Sequence, residues 1–596
     1  MNFRSLSTFT CLQALLWGLL ACLFFRVGGL YTDPLGMSFT VSFMVGHIGV
    51  FALICALLCA PFYFIGPRTL RGVCIGINSI ASVFLLIDYI VYSQYRFHIG
   101  IAMLEMFFGP AGREIFVFSA STWVMTIFGI LGIILLEWQL TVLAKKINLS
   151  LKLLLVIFLV WLVGFGSYNA LYAWGKFNRI STIVSQRTVL PFAYPMSANR
   201  RLEKWGFVQP DNPYTVQAGG PLNYPRQPLV CNISKTPKNI LIILIDSLRA
   251  DMLSNEVMPH TTAWSTQKGF NIFTNHLSGS NATTGGVFSL FYGITHSYWD
   301  DFTAAQYSPL LITKALEQGY APAIFASSKL TSPTFHRNVF AAIKDLRIGS
   351  EGNNSWQRDE DAVNDFLEFL NTRNNNQPFF GFIFLDAPHA YDFPPEHKIF
   401  TPSKPINYLT LNNHTDPTPY LNQYKNAVHF TDAQIERILQ NLKKHNLLQN
   451  TLIFITGDHG QELNDSHKNY WGHNSNFTDF QTKVPLIVYD AARPHQIFNY
   501  RTTHYDVAPT LLQEVFGCQN PPADYSIGQN VFDATPRPYS IFSDATAKAI
   551  RIGDQILVIH NFEHVEQYDP FLNPLPAAPN PALVKEALKT FTNFYK

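Results

Sequence analysis

Four side chains able to bind a metal or move a proton stand where apolar runs stop. NILIILID ends on Asp246, FGFIFLDAPH leads to His389, and TLIFITGDHG carries the adjacent Asp458 and His459. Carboxylate oxygen and imidazole nitrogen together suit Zn or Mn, and Mg less well. A metal site that does chemistry on an ester also needs a nucleophile. SGSNATTGGVFSLFYG offers one: a Gly/Ser/Asn turn, then Thr283 and Thr284, then an apolar helix. A hydroxyl at a helix N-terminus can enter a metal's coordination shell and lose its proton there. The backbone N–H groups of the turn would receive phosphate or sulfate. Taken alone, Thr283 reads as a plain helix cap.

These residues need a scaffold that brings separate strand ends together. The three runs, with VPLIVYD as a fourth, have the unbroken apolar character of buried parallel strands. Helical patterns such as AVNDFLEFLNTR and YKNAVHFTDAQIERILQNLKKH lie between them. Alternating strands and helices predict a doubly wound α/β sheet, in which ligands bind at the carboxyl ends of the strands.

The rest of the chain is of another kind. Of 596 residues 48% are hydrophobic and 14% charged, and most of the charge follows Trp174. Five stretches are long and apolar enough to cross a bilayer: Leu6–Phe25, Val41–Ile65, Val73–Tyr92, Ile115–Leu136 and Leu153–Trp174. Arg4, Arg68, Arg71, Lys145, Lys146 and Lys152 gather on one side, which the positive-inside rule makes cytoplasmic. Everything beyond Trp174 is then expected outside the cytoplasm. The sequence divides into a five-helix membrane bundle (1–175), an interfacial linker (176–238) and an exported domain (239–596). A net charge of +2 argues against a nucleic-acid partner.

The linker opens with FNRISTIVSQRTVLPFAYPMSANRRLEKWGF, whose aromatic and basic residues suit a membrane interface. Cys231 and Cys518 are the two cysteines of the exported part, either bonded or two separate thiols. His47 and Asp88 lie inside membrane stretches, where ionisable groups invite functional readings. Asp88 is close enough to a helix end to make an interfacial hydrogen bond instead. His467 fits no position in the metal pattern and reads as surface.

IDSLRADML, the Thr turn, TGDHG, WGHN and HYDVAPTLL, in that order, resemble the alkaline-phosphatase superfamily, and within it sulfatases, phosphoethanolamine transferases and lipoteichoic acid synthases. The resemblance implies an alkaline-phosphatase-like α/β domain over about 239–533. It makes Asp246, Asp458 and His459 metal ligands and Thr283 the nucleophile and a further ligand, with Thr284 the rival by one residue. It makes His389 and His473 contacts of the transferred group or donors to the leaving oxygen. Sulfatases carry a Cys or Ser, matured to formylglycine, where this chain has Thr; phosphoryl chemistry is therefore expected over sulfate-ester hydrolysis.

The five helices, LPFAYPMSANRRLEKWGF and SNATTGGVFSLFYGITHSYWD are similar to the YejM (PbgA) family of Gram-negative inner-membrane proteins. That resemblance implies lipopolysaccharide or anionic phospholipid bound near 194–204, through Ser197, Arg200 and Arg201. Asn199 departs from a basic position of the family. It also implies a membrane-embedded regulatory partner, a protease adaptor controlling lipid A synthesis. The best-known members have a degraded metal motif, which this chain keeps. Two functions stay open: a metal-dependent phosphatase or phosphotransferase, and a non-catalytic lipopolysaccharide sensor.

Overall fold

A computed structural model describes residues 2–30, 32–100, 104, 108, 120–209, 221–232, 236–560, 565–576 and 579–596. Among these, five helices are long and apolar enough to cross a membrane: α1 (Phe3–Gly28), α2 (Pro34–Tyr63), α3 (Pro67–Tyr95), α4 (Ala120–Ile147) and α5 (Leu151–Phe177). Helices suit that medium because each satisfies its own backbone groups. α2 is irregular, with a π-helical stretch at Phe43–His47 and a 3-10 end at Ala60–Tyr63. At its bend the backbone lies on α5: a Cβ on Gly46 would meet the Phe165 nitrogen at 2.0 Å.

The fourth helix differs from its expected span. Glu137 reads as a polar flank in sequence, yet α4 continues past it to Ile147. The carboxylate points into the bundle and accepts from Gln13 Nε2 and Ser82 Oγ, each at 3.0 Å, while Trp17 donates to Ser82. The expected start of that span, 115–119, lies outside the described residues. Asp88 does make the interfacial bonds, to His98 Nδ1 and the Ile99 amide, both at 2.7 Å.

The first half of the linker packs on the bundle. Ile183, Val184, Val189, Leu190 and Ala193 are buried against the bundle. Polar ties reinforce this: Gln186 donates to the Gly36 carbonyl at 3.0 Å, and His47 Nε2 lies 2.9 Å from the Phe192 carbonyl oxygen. The linker's far end joins the soluble domain before 239. Leu222 bridges Tyr595, and Cys231 is disulfide-bonded to Cys518.

The soluble domain is built on seven strands: β1 (Asn239–Ile245), β2 (Phe270–Phe273), β3 (Ala321–Ala326), β4 (Phe379–Leu385), β5 (Thr451–Gly457), β6 (Leu486–Tyr489) and β7 (Gln496–Phe498). Their order is β7-β2-β6-β5-β1-β4-β3. The β3-β4, β4-β1, β1-β5 and β2-β7 pairs are parallel, and β6 runs against both its neighbours. All seven residues of β1 are buried because both faces are covered. Ile242 and Leu244 pack with α6 (Thr283–Tyr292) on one face. Ile243 and Ile245 pack on the other with α7 (Ser355–Thr372) and α8 (Thr418–Lys444). The two-residue period of a strand thus feeds two cores at once. A four-stranded antiparallel sheet (540–568) backed by the helix Pro581–Thr590 completes the domain.

Bundle and domain meet at the tip of α3. Arg96, in left-handed conformation just past the helix, donates to the Lys468 carbonyl at 2.7 Å and lies over the Tyr470 ring. Asn469 donates back to the Ser93 carbonyl at 3.2 Å.

Candidate metal and phosphate-ester site

Parallel register carries the site. β1 lies between β4 and β5, with Ile245 opposite Leu385 and Gly457. The residues that follow these strands, Asp246, Asp386 and Asp458, therefore emerge side by side. The Asp246 amide donates to the Leu385 carbonyl at 2.8 Å, which holds the first two in place. A left-handed Ser247 (φ 62°) turns the chain, so that its amide donates to Asp458 Oδ1 at 2.9 Å and its hydroxyl to Asp246 Oδ1 at 3.0 Å.

α6 arrives from across the sheet. Its start lies so close to β5 that a Cβ on Gly286 would meet the Asp458 carbonyl oxygen at 2.2 Å; only glycine allows the approach. Ala282, not Thr283, occupies the cap position, so Thr283 is no helix cap. Its hydroxyl lies 3.1 Å from His459 Nε2. Of the two threonines, Thr283 is the one that reaches the imidazole. His459 Nδ1 is 2.8 Å from the Gly460 carbonyl, which fixes the proton on that nitrogen and leaves the Nε2 lone pair facing the cluster.

One oxygen of Asp246, one of Asp458 and a His459 nitrogen lie within 4.8 Å of one another, and all three residues are buried. His459 Nε2 is 3.4 Å from Asp458 Oδ2 and 3.6 Å from Asp246 Oδ1. Burial pushes the Asp458 carboxyl up to about 7 against the help of the Ser247 and His459 amides. Burial, with the Asp458 charge beside it, also pushes Asp246 up. Among the described residues, Asp458 Oδ2 is buried with no partner in hydrogen-bonding geometry. Two buried carboxylates, a neutral imidazole and a hydroxyl form a donor set short of positive charge. A divalent cation fits it, with Asp246, Thr283, Asp458 and His459 as ligands.

The other two histidines close around this cluster. The His473 ring centre is 4.3 Å from that of His459 and 5.3 Å from that of His389. Burial and the neighbouring imidazoles hold His473 well below its ordinary value. His389 behaves oppositely. Burial lowers it, but the Asp246 and Asp386 carboxylates outweigh that and push it up to about 10.

Two residues of the site escaped sequence reading. Asp386 ends β4, accepts from Ser355 Oγ at 3.0 Å and Arg358 at 3.3 Å, and lies 3.3 Å from His389 Nδ1. It forms a second close group with Asp246 and His389. The FLDAPH run placed it at a strand end as plainly as Asp246, so the signal was present. Gln461 lies 2.8 Å from His473 Nδ1 through its carbonyl oxygen, and nothing in the sequence marks it. His467 is exposed, as expected of a surface residue.

Ser197, Arg200 and Arg201 lie far from this cluster in sequence, around a short helix at Asn199–Lys204. All three are exposed, beside exposed Tyr194, Met196 and Trp205. The Met196 amide donates to Asn169 on α5 at 2.9 Å, which fixes this segment against the bundle.

Comparison with known proteins agrees with both halves. The sulfatase family model matches residues 238–517, and a domain of unknown function (DUF3413) matches 2–231. Inner membrane protein YejM of Salmonella typhimurium is 27% identical over 583 residues, covering 94% of this chain and 92% of that protein. An uncharacterized protein of Haemophilus influenzae is 27% identical over 528 residues, covering 83% and 79%. A solved phosphonate monoester hydrolase of Agrobacterium radiobacter covers 60% of this chain and 95% of its own, with 17% identity and a TM-score of 0.46. The chain is thus similar to an inner membrane protein over nearly its whole length, carries five helices long and apolar enough to cross a membrane, and is matched by the sulfatase family model in the part that follows them.

Proposed function

We propose that this chain is a metal-dependent phosphatase or phosphotransferase of the bacterial inner membrane, acting at the periplasmic face on lipid-linked or other phosphate esters. The observation that carries the reading is the Thr283 hydroxyl 3.1 Å from His459 Nε2, beside the paired carboxylates of Asp246 and Asp458. A divalent cation, when bound, supplies charge that acidifies a hydroxyl and offsets the negative charge of a phosphoryl group. Thr283 gives up its hydroxyl proton to solvent, and its Oγ1 forms the new bond to phosphorus as the ester P–O bond breaks. His389, whose Nδ1 lies 3.3 Å from Asp386, is placed to give a proton to the leaving oxygen. His473, neutral, takes a proton from the water or sugar hydroxyl that then resolves phospho-Thr283. The Cys231–Cys518 bond supports an oxidising, extracytoplasmic location, in line with the positive-inside charges.

A second reading rests on a different observation. The segment around Arg200 and Arg201 is fixed to the bundle and offers exposed aromatic and basic side chains. That surface suits a sensor of lipopolysaccharide or anionic phospholipid that signals through the helices to a membrane-embedded partner. The intact metal cluster favours the enzyme, and the two roles are compatible in one chain. The test is p-nitrophenyl phosphate turnover and metal content of the purified full chain, stripped with chelator and reloaded with Zn, Mn or Mg. Turnover that vanishes and returns with one equivalent of metal is expected. A chain that takes up no stoichiometric metal sinks the enzyme reading.

A further inference from the structure

HYDVAPTLL follows the metal motifs in the same ordered pattern, yet no step of the proposed reaction uses it. It forms a turn, His504–Asp506, that leads into the helix Val507–Glu514, and all three residues of the turn are buried. The turn is held from several sides. The Thr503 amide donates to Asp506 Oδ2 at 2.7 Å and closes it. Asp506 Oδ1 accepts from the Gln529 amide at 3.0 Å and pairs with Arg537 at 2.8 Å. Arg537 also donates to Thr503 Oγ1 at 3.0 Å. A buried carboxylate that is both paired and hydrogen-bonded makes a firm anchor.

Two side chains of this turn reach the segment that carries Thr283, one on each side of it. Tyr505 donates through its hydroxyl to the Gly279 carbonyl at 3.1 Å, ahead of Thr283. The approach is tight: a Cβ on Gly279 would meet the Tyr505 ring at 2.8 Å. His504 Nδ1 lies 3.3 Å from the Gly286 carbonyl oxygen, in the first turn of α6 beyond Thr283. A carbonyl can only accept, so this bond places the imidazole proton on Nδ1. Burial pushes His504 down to about 4, which leaves the ring neutral with that one N–H. The Gly457 carbonyl, at the end of β5, also acts on the ring. His504 therefore spans from the helix that carries Thr283 to the strand that leads to Asp458. His276 backs the imidazole, with its ring centre 5.2 Å away and its Nδ1 2.9 Å from Thr502 Oγ1. The Gly286 carbonyl has another side-chain donor, Ser289 Oγ at 2.8 Å, but Ser289 belongs to α6 and moves with it. His504 belongs to a different element and can fix where α6 stands.

We propose that His504 and Tyr505 are positioning residues, which hold the Thr283 hydroxyl at the metal cluster by gripping its segment at Gly286 and Gly279. The proposal rests on the enzyme reading, in which Thr283 is nucleophile and ligand. His504→Leu, His504→Asn, His504→Gln and Tyr505→Phe are compared in the full chain loaded with Zn. Asn puts an amide N–H near the place of the imidazole Nδ1, and Gln puts it one bond further out. His504→Leu should lower kcat for p-nitrophenyl phosphate roughly a hundredfold, the effect of a nucleophile misplaced by about 1 Å, with KM and Zn affinity within about threefold. His504→Asn should recover most of that loss and His504→Gln little of it. Tyr505→Phe should cost roughly tenfold, as loss of one hydrogen bond does. Thermal melts show which variants are folded; if His504→Leu is not, Gln against Asn carries the comparison. Equal losses in the folded Leu and Asn variants, or in Gln and Asn, would reduce His504 to a filler of space and overturn the proposal. Zn affinity falling as far as kcat would overturn it too, by making the turn a prop of the ligand set. A wild type without turnover would reject the enzyme reading, and hydrogen exchange in the metal-free chain then decides the grip. Amides at the start of α6 should exchange roughly tenfold faster in His504→Leu than in the wild type or His504→Asn. Exchange alike in all three overturns the positioning.

Discussion

Strand β1 and helix α5 are written in nearly the same apolar alphabet and meet opposite fates. Every residue of β1 is buried in protein. α5 turns Leu155, Leu159 and Val163 outward, the last 69% exposed, and buries Tyr168, Asn169 and Tyr172 instead. The difference lies in the solvent each element faces. In water, burial of apolar area drives the fold, so the sheet collects its apolar residues inside. In lipid that drive is absent between helices, and close backbone contacts and polar ties take over. The buried carboxylates of the two regions differ accordingly. Glu137 is tied to Gln13 and Ser82 and holds helices together. Among the described residues, one Asp458 oxygen has no hydrogen-bond partner, and it lies beside a second carboxylate. Polar burial is a structural tie in the bundle and a candidate ligand set in the domain.

The largest expected effect tests the domain half of that contrast. Thr283→Ala should lower phosphate-ester turnover by about 10⁴-fold or more, as loss of a nucleophile does. Thr284→Ala should cost less than about tenfold, since its hydroxyl is not the one that meets His459. The reverse ranking would mean the nucleophile is the neighbouring residue. Normal complementation of a deletion strain by Thr283→Ala would show that the cell needs the sensor and not the enzyme.

The next effect comes from the paired carboxylates of the site. The Asp458 carboxyl is raised from 3.8 to about 7 in the folded, metal-free chain, and Asp246 moves the same way. A folded state that holds its proton more tightly than the unfolded one gains stability that is complete below pH ~4 and lost as pH rises through ~7. Metal-free protein should therefore melt at a lower temperature at pH 8 than at pH 5, and added metal should restore most at pH 8. Asp458→Asn should abolish tight metal binding, yet flatten the pH dependence of the metal-free melt. Identical metal-free melts of the wild type at the two pH values would contradict this account of the site.

Sequence reading went furthest where one local signal sufficed. An apolar run closed by a carboxylate revealed β1, β4 and β5 and, of their aspartates, Asp246 and Asp458 as site residues, because buried parallel strands leave their polar residues at the ends. Five spans were legible for the same reason, though Glu137 cut α4 short: a carboxylate reads as an edge unless its partners are known. What stayed hidden depends on contacts distant in sequence. Gln461 acquires a role only because the loop holding His473 folds back on it. The antiparallel run of β6 follows from its pairing with β2, some two hundred residues away. Cys231 and Cys518 could be bonded only once distance was known. The bonds of the linker's first half to α2, such as Gln186 to Gly36, stayed hidden because they have no local pattern.

A smaller effect tests the bundle half. Gly46→Val would force a side chain into the α5 backbone at Phe165. It should cost about 1–3 kcal/mol in detergent unfolding, the usual price of overpacking. Metal binding by the soluble domain should persist, because the disturbed contact lies inside the bundle. Loss of metal binding together with bundle stability would show that the two regions are more tightly joined than their separate logics imply.

The last effect is weakest on stability and bears on the boundary between the two solvents. Arg200 and Arg201 are exposed on a short helix whose neighbours Tyr194, Met196 and Trp205 are exposed as well. In water alone such a surface gains nothing from its aromatic residues. At headgroup depth the rings lie among the lipids and the guanidinium groups meet phosphate. Replacing both arginines with Ala should leave the melting temperature within error, since neither side chain is buried. Each cation near an anionic surface contributes about 1 kcal/mol, so the pair should weaken retention of lipopolysaccharide or anionic phospholipid roughly 25-fold. Lys at both positions should recover part of that loss, because it keeps the charge but not the two-pronged geometry of Arg toward phosphate. Lipid mass spectrometry of the purified variants separates these outcomes. Unchanged retention in the double Ala variant would mean that the segment touches no lipid phosphate, and that its aromatic surface serves a protein partner instead.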